Sequence, residues 1–511
     1  MERGARPSLG TDADPQRKDD PMEHYDAAII GFGTAGRALG AALADAGQTV
    51  AVVERSDAMF GGACVNNACI PTKALVQSAR LSAAEGGSIV QQEQRYEAAV
   101  EHMDRIRKRA RERNYHSLAD RDRVSIIMGE ASFSGPLQLT VASDEGERTL
   151  SADRVFIDSG STPKLPPIPG IDSPRVHTSS SLIDVQTLPR QLIIIGGGFV
   201  GLEFASLYAD FGAQVTVLQR GPAILEGEDD QIAHAVRASL EERDIEIVCN
   251  AEVERIDDEH DQVLVHVRVG ERRDERDGES ALGENAPSGT EDEGEGEGGT
   301  SPDRELRLPA HAVLVATGRA PNTDGLNLDA AGIARNERGG IAVDEHLRTS
   351  APNVWALGDV TGGPQFTYLS YDDFRIVRDD VLGDGLRTTE NRGAIPRCTF
   401  AHPPFARIGI TEREAREAGF TVRTATLPAE NISQASILQD ETGLMKVVVD
   451  AESDLVLGMD LFCEDAQELV NLVKIVMDAR IPATALRDAV FTHPSMTEAF
   501  NNLIAALGDP S

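Results

Sequence analysis

Short apolar runs and amphipathic stretches alternate along the chain, and glycine-rich turns separate them. Tyr25–Ile30 reads as a strand that runs into Gly31-Phe-Gly33-Thr-Ala-Gly36. Arg37–Ala46 is rich in Ala and Leu and predicts a helix, and Gln48–Val53 predicts a second strand that ends at Glu54. Strand, glycine-rich turn, helix, strand and terminal acid is the order of a dinucleotide-binding unit. The order returns at Gln191–Ile195, Gly196-Gly-Gly198-Phe-Val-Gly201, Leu202–Phe211 and Gln214–Leu218. Glu54 lies 23 residues after Gly31, and Gln219 lies 23 after Gly196, so the two units are in register as an internal duplication. One such turn carries little information; two in the same context carry much more.

Between the units, Thr72–Asp120 predicts helix and Val124–Phe156 a set of short strands. Ile245–Val269 reads as strands. Gly270–Pro302 is acidic, glycine-rich and aperiodic, which predicts a disordered surface insertion within a hairpin that resumes at Glu305–Leu308. Ala312–Thr317 and Val354–Leu357 are strands of the buried type. From Thr388 onward strands precede helices, with no nucleotide turn. The expected fold is α/β: two Rossmann-like units followed by a C-terminal α+β domain. The expected boundaries are a disordered tail at 1–22, the first unit at 23–187 and the second at 188–311, with its insertion at 270–304. The first unit resumes at 312–387, and 388–511 is the last domain.

Charge narrows the setting. The chain has 511 residues with 84 acidic and 49 basic side chains, a net charge of −35. Glu271–Glu305 holds 13 acids and four bases, which leaves −26 on the rest, so the acidity is not confined to the insertion. Such a surface repels nucleic acid and anionic membranes. Only six of the 49 basic residues are Lys. Self-repulsion of this size is screened by salt, and a cytosol of high ionic strength, as in a halophilic microbe, is expected. No apolar run approaches the ~18–20 residues of a spanning helix, and the opening stretch has no signal-peptide core, so the expected location is cytoplasmic.

The first turn suits a dinucleotide. Gly31 permits the tight turn, Gly33 lets the backbone approach a pyrophosphate, and Gly36 allows the helix to pack on the strand. The helix N-terminus offers free N–H groups, and Glu54 can accept ribose hydroxyls. The blander alternative is a glycine-rich turn without a ligand. Five cysteines make no disulfide framework in a chain of this length. Cys64 and Cys69 are close in sequence, yet five residues of regular helix leave Cα atoms on the order of 8–9 Å apart, and a disulfide needs less than ~7 Å. A bridge therefore requires a distorted first turn, with Pro71 near the start of the helix that follows. Two buried free thiols, or a two-Cys metal site, are the alternatives. Cys249, Cys398 and Cys463 stand singly, as small core residues do.

Gly61-Gly62-Ala63-Cys64-Val-Asn-Asn-Ala-Cys69-Ile-Pro-Thr-Lys73 resembles the redox-active signature of the class I pyridine nucleotide–disulfide oxidoreductases. That family includes dihydrolipoamide dehydrogenase, glutathione reductase and mercuric reductase. The resemblance runs from about Tyr25 to Leu507 without the acidic insertion. It implies FAD on the first unit, NAD(P)H on the second, a C-terminal dimerisation domain and a homodimer. It also implies a Cys64–Cys69 disulfide, in which Cys64 faces the substrate and Cys69 forms the charge-transfer contact with flavin. Lys73 then lies near the reactive flavin nitrogen and pairs with Glu203 in Gly201-Leu-Glu203. Ser159-Gly160-Ser161 and Ala131 match segments that line FAD, Ala316-Thr-Gly318-Arg319 closes the nicotinamide side, and Asp359 matches the acid that binds the ribityl chain. Lys73 and Glu203 as surface charges, and Asp359 as a turn residue, are the plain alternatives.

Phe491-Thr-His493-Pro-Ser-Met-Thr-Glu498 matches the family's proton-handling His and its orienting Glu, which act across the dimer. The alternative is a His ahead of a helix that starts at Pro494. Phe366–Val377 and Asn114–Asp120 look like a mercuric-reductase-like subgroup that includes a copper(II) reductase of reactive-chlorine resistance. The C-terminal and N-terminal Cys pairs of true mercuric reductases have no counterpart here. Ala63, Asn67 and Ala68 replace the usual Thr, Val and Gly; Ala63 removes a hydroxyl near the flavin. The resemblance implies an NAD(P)H-dependent reductase of a disulfide, a metal ion or another small acceptor. Its rivals are dihydrolipoamide dehydrogenase and a flavin-bound redox sensor without turnover. For the nicotinamide cofactor, Gly201 leans toward NADH and the acidic stretch Gly221–Asp230 weakens a phosphate site, whereas Gln219 and Arg220 in place of an acid lean toward NADPH, which is the expected cofactor.

Overall fold

The computed structural model describes residues 22–270 and 304–508. The expected tail, apart from Met22, and the expected insertion, apart from its two end residues, lie outside them. Two five-stranded parallel sheets carry the duplicated units. In the first, strands run in the order Val354–Ala356, Val155–Ile157, Ala27–Ile30, Val50–Glu54, Val124–Met128. In the second the order is Val176–Thr178, Ala312–Val315, Gln191–Ile195, Gln214–Leu218, Glu246–Val248. The duplication extends to single hydrogen bonds. Gly31 N donates to Val53 O and Gly196 N to Leu218 O, each at 2.8 Å.

Two boundaries shift relative to the sequence expectation. Val176–Thr178 and Ala312–Val315 both pair within the second sheet, so neither the 187/188 nor the 311/312 division follows the sheets. Val176–Thr178 is only three residues, Val-His-Thr, and Ala312–Val315 a short apolar run, and sequence alone does not say which sheet completes them. Likewise Tyr25–Ile30 is two strands. Glu23–Tyr25 joins a four-stranded sheet beside Gly146–Ala152, and Ala27–Ile30 enters the parallel sheet. Asp26 makes the break, its carboxylate accepting the Thr49 N–H at 2.7 Å. The interrupted hairpin is present: Gln262–Val269 pairs antiparallel with Arg304–Ala310.

The C-terminal domain is an antiparallel five-stranded sheet covered by helices, among them Ala466–Asp478, whose Leu469, Val470 and Val473 enter its core. No described helix is long and apolar enough to cross a membrane.

One packing arrangement positions the chemistry. The helices Cys69–Glu85 and Ile89–Ala119 follow the first unit in sequence, yet their apolar faces pack on the second unit's helix Phe199–Asp210. Leu75, Ala79 and Tyr96 meet Leu202, Tyr208 and Phe211 in one buried cluster. Tyr208 Oη donates to Leu182 O at 3.1 Å and Tyr96 Oη to Val185 O at 2.8 Å, so both phenols are satisfied inside it. The helix Phe199–Asp210 is therefore buried on nearly every side, and its Glu203 is only 6% exposed.

Candidate active site

The cysteine segment starts on glycines that touch the first unit. Gly61 and Gly62 both have left-handed φ, +93° and +75°, and a side-chain carbon on Gly62 would lie 2.9 Å from Gly33 Cα. Only glycine lets the segment approach the turn so closely. A short helix, Gly62–Asn66, holds Cys64; the backbone breaks at Asn67 and Ala68; a 17-residue helix then opens at Cys69. This is the distorted turn the spacing demands. Asn66 pins it, donating to Phe60 O at 3.0 Å and Gly62 O at 2.9 Å and accepting from Arg111 Nε at 2.7 Å.

Both thiols are free in the structure and half-buried. They share a hydrogen bond that lowers the Cys69 pKa to about 6 and raises that of Cys64. Burial opposes the fall at Cys69, while the Thr367 hydroxyl and the Lys73 ammonium assist it. Thr367 Oγ1 lies 3.5 Å from Cys69 Sγ. Thr367 opens the 16-residue helix Thr367–Leu382, so Cys69 is at one helix N-terminus and beside another. Both helix ends favour the thiolate.

Lys73 Nζ meets Glu203 Oε1 at 2.6 Å, and Glu203 Oε2 accepts the Phe400 N–H at 3.1 Å. The ammonium also lies 4.6 Å from the Phe400 ring centroid. Burial alone would lower the Lys73 pKa; Glu203 and the nearby cysteines outweigh it and leave it raised. Cys398, one of the three single cysteines, is near enough to contribute, but burial pushes its own thiol up to about 12. Cys463 is buried in the C-terminal core, and Cys249 takes a contact from Arg237 Nη1 at 3.5 Å.

The second nucleotide turn is open over Gly198, whereas in the first a side-chain carbon on Gly33 would lie 2.4 Å from Asp158 Oδ2. The N-caps of the helices Thr34–Asp45 and Phe199–Asp210 make no side-chain cap hydrogen bond; in the first helix the Gly36 N–H is taken by Asp158 Oδ2 at 2.7 Å. Side chains on Gly160, Gly198 or Gly318 would meet no atom within 4 Å. In the first unit Glu54 Oε2 accepts the Phe32 N–H at 2.9 Å, which fixes the carboxylate at the strand end. Ala131 follows Gly129, whose N–H donates to Glu54 O at 2.9 Å. Ser161 Oγ donates to Asp359 Oδ2 at 2.6 Å and receives Arg319 Nε at 2.8 Å. Ser159 Oγ donates to Asn322 O at 2.8 Å. These groups fit a dinucleotide on each unit.

In the second unit Gln219 Oε1 accepts the Gly197 N–H at 2.9 Å, as Glu54 does for Phe32. Its Nε2 donates to Glu226 Oε1 at 3.3 Å. Arg220 is 87% exposed, with Glu252 Oε1 at 3.9 Å. Glu226, one of the acids of the stretch Gly221–Asp230, thus brings a carboxylate to this strand end. This weighs against the NADPH expectation.

His493 Nδ1 lies 2.8 Å from Glu498 Oε2. No helix starts at Pro494; the next one is Ala499–Ala505, with Glu498 as its cap. The imidazole is 73% exposed, and among the described residues no hydrogen bond or ion pair joins it to Cys64, Cys69, Lys73 or Glu203.

Residues 25–373 match the model of the pyridine nucleotide-disulphide oxidoreductases, and residues 395–504 match that family's dimerisation domain. The chain belongs to this family. It is 41% identical, over 95% of its length and 99% of the relative's, to a probable pyridine nucleotide-disulfide oxidoreductase, RclA, of Escherichia coli K12. It is 33% identical to a mercuric reductase of Streptomyces lividans, covering 93% of this chain and 94% of that one. A solved structure of the Cu(II) complex of the E. coli HOCl-induced flavoprotein disulfide reductase RclA superposes with a TM-score of 0.83 at 40% identity, covering 95% and 99% of the two chains. The chain is thus an oxidoreductase of two dinucleotide-binding units and a dimerisation domain, and it uses FAD and NAD(P)H.

Two outcomes follow for this oxidoreductase. Thr367→Val raises the Cys69 pKa by about one to two units, the equivalent of a hydrogen bond to a charged group, and Thr367→Ser restores it; pH-dependent alkylation of the reduced protein measures this, and an unchanged midpoint contradicts it. Glu226→Gln raises kcat/KM for NADPH more than for NADH, since a 2′-phosphate no longer faces a carboxylate. Arg220→Ala costs about 1.5–3 kcal/mol with NADPH if Arg220 pairs with that phosphate, and little with NADH. Equal effects on both cofactors contradict these assignments.

Proposed function

We propose that the oxidoreductase is a homodimeric reductase whose Cys64–Cys69 pair passes electrons from NAD(P)H, through FAD, to a thiophilic metal ion such as Cu(II). The observation that carries this reading is the placement of the pair: Cys64 in the short helix Gly62–Asn66, and Cys69 at the N-terminus of Cys69–Glu85, 3.5 Å from Thr367 Oγ1, on the same helix as the Lys73 that pairs with Glu203. The similarity to RclA, solved with Cu(II), and to mercuric reductases supports the class of acceptor.

Gly31, Gly33, Gly36 and Glu54 would hold FAD by its diphosphate and ribose. Asp359 would hold the ribityl chain, and Lys73 would bring its ammonium to the isoalloxazine. Gly62, Ala63, Ala131, Ser159, Gly160 and Ser161 would line the same site. Gly196, Gly198, Gly201, Gln219, Arg220 and Gly318 would serve NAD(P)H. When bound, FAD supplies two-electron transfer between the nicotinamide and the sulfur pair. Lys73, fixed by Glu203, keeps positive charge beside Cys69 and holds that sulfur as the thiolate. Cys64 retains its proton and faces the acceptor. As the two sulfurs join, two electrons leave, two Cu(II) become two Cu(I), and the Cys64 proton passes to a base. His493, oriented by Glu498, is that base, and its exposure suits a role on the opposite subunit.

The His493–Glu498 pair also suits disulfide exchange, so dihydrolipoamide dehydrogenase activity is the second reading. Two relatives at 27% and 30% identity carry that name, dihydrolipoyl dehydrogenase. The net charge of −35 we read as adaptation to a cytosol of high ionic strength.

Cys64→Ser or Cys69→Ser abolishes Cu(II) reduction while FAD absorption persists, and mixing a Cys64 variant with a His493 variant restores part of the activity through hybrid dimers. Full turnover in either Cys variant, or exchanged subunits without recovery, contradicts the mechanism. Lipoamide turnover above that with Cu(II) would favour the second reading. Far-UV circular dichroism is expected to weaken when salt is removed; unchanged secondary structure in salt-free buffer counts against the high-salt setting.

A further inference from the structure

The internal duplication provides its own comparison. Asp158 N donates to Ile30 O and Ala316 N to Ile195 O, each at 2.8 Å. A side-chain carbon on Gly31 would lie 2.3 Å from Asp158 O, and one on Gly196 would lie 2.6 Å from Ala316 O. Asp158 and Ala316 therefore occupy the same position in the two units. Beside Ala316 the space over Gly198 is open, with no atom within 4 Å of an added side-chain carbon. Beside Asp158 it is filled: a carbon on Gly33 would lie 2.4 Å from Asp158 Oδ2. Gly36 N–H donates to that oxygen at 2.7 Å and is the side chain's one hydrogen-bond partner among the described residues.

An acid only 7% exposed is thus lodged in the turn whose N–H groups and helix dipole serve an anionic diphosphate. The elements around it add mostly negative charge. Glu54 ends the second strand, Asp359 lies in the one-turn helix Gly358–Thr361, and Asp373 lies on Thr367–Leu382. Arg392 is taken by Asp373 at 2.6 Å, Arg319 by Ser161, and Arg37 by Ser117 at 3.4 Å. Burial pushes the Asp158 carboxyl well above the ordinary aspartate range; the Gly36 N–H opposes this, and Asp359, Asp373 and Glu54 reinforce it.

We propose that the first unit accepts the FAD diphosphate only against the neutral acid form of Asp158, so that FAD binding is coupled to the proton on this side chain. A carboxylate and a diphosphate in one buried turn repel, whereas the neutral acid keeps the Gly36 bond and adds an O–H donor. The sign follows from linkage. Bound FAD raises the Asp158 midpoint further. Below the midpoint of the FAD-free protein the acid is already protonated and affinity is independent of this group. Between that midpoint and the higher one of the loaded protein, binding takes one proton from solvent, and affinity falls by up to about tenfold per pH unit. The inference rests on the placement of FAD on the first unit.

The test is titration of FAD-free protein with FAD at fixed salt from pH 5 to 9, followed by quenching of flavin fluorescence. The wild type is expected to lose affinity with rising pH, and calorimetry in two buffers of different ionisation enthalpy should count up to one proton taken up. Asp158→Asn and Asp158→Ala, the latter reproducing Ala316, should bind FAD with a flatter pH dependence and more tightly at the alkaline end. The wild-type slope needs no variant, and circular dichroism checks that both variants fold. Tight binding with a flat wild-type profile, or an unchanged slope in the Asn variant, overturns the proposal. No binding at any pH overturns the placement of FAD itself.

Discussion

The arrangement of the site depends on one ion pair. Lys73 comes from the helix that follows the cysteines, Glu203 from the second nucleotide unit, and the Glu203 carboxylate also holds the backbone of Phe400 at the entry to the dimerisation domain. Three parts of the chain meet at this pair, 2.6 Å across. Glu203 is buried and Lys73 about one-third exposed, so losing one partner should cost on the order of 3 kcal/mol after allowance for solvent at the ammonium. The larger consequence is chemical. Without its carboxylate the ammonium loses its fixed position, and without the ammonium Cys69 loses a cation that favours its thiolate.

The remaining asymmetry of the pair comes from packing and helix ends. Cys64 lies in a five-residue helix between glycines and Asn67, while Cys69 opens a long helix and touches the first residue of another. Two sulfurs five positions apart in sequence therefore stand in different surroundings, and those of Cys69 favour its thiolate. The duplicated units show the same economy of change. Their turns and first hydrogen bonds correspond, and Glu54 against Gln219 and Asp158 against Ala316 are among the positions at which they differ.

The strong signals in the sequence were those with a strict local geometry. Glycine spacing demands a particular backbone and appears as expected, and the Cys64–Cys69 interval falls on a break in the helix at Asn67 and Ala68. What sequence left hidden depends on partners distant along the chain. Val176–Thr178 and Ala312–Val315 join the second sheet because of long-range pairing. Thr367 reaches Cys69 across 298 positions, and Glu226 reaches Gln219 only because the loop after the strand folds back. Asp158 follows a strand like many loop acids, and its burial in the turn is a tertiary fact. His493 was read from its motif, but its exposure is visible only in three dimensions.

The account's central claim is that Cys64 and Cys69 are the acceptors of electrons from NAD(P)H. The most direct measurement counts thiols in denatured protein before and after anaerobic addition of NAD(P)H. The chain has five cysteines. The oxidised protein should present three titratable thiols and the reduced protein five, with both new thiols located at Cys64 and Cys69 by peptide mapping. The same count before and after reduction, or new thiols elsewhere, would contradict it.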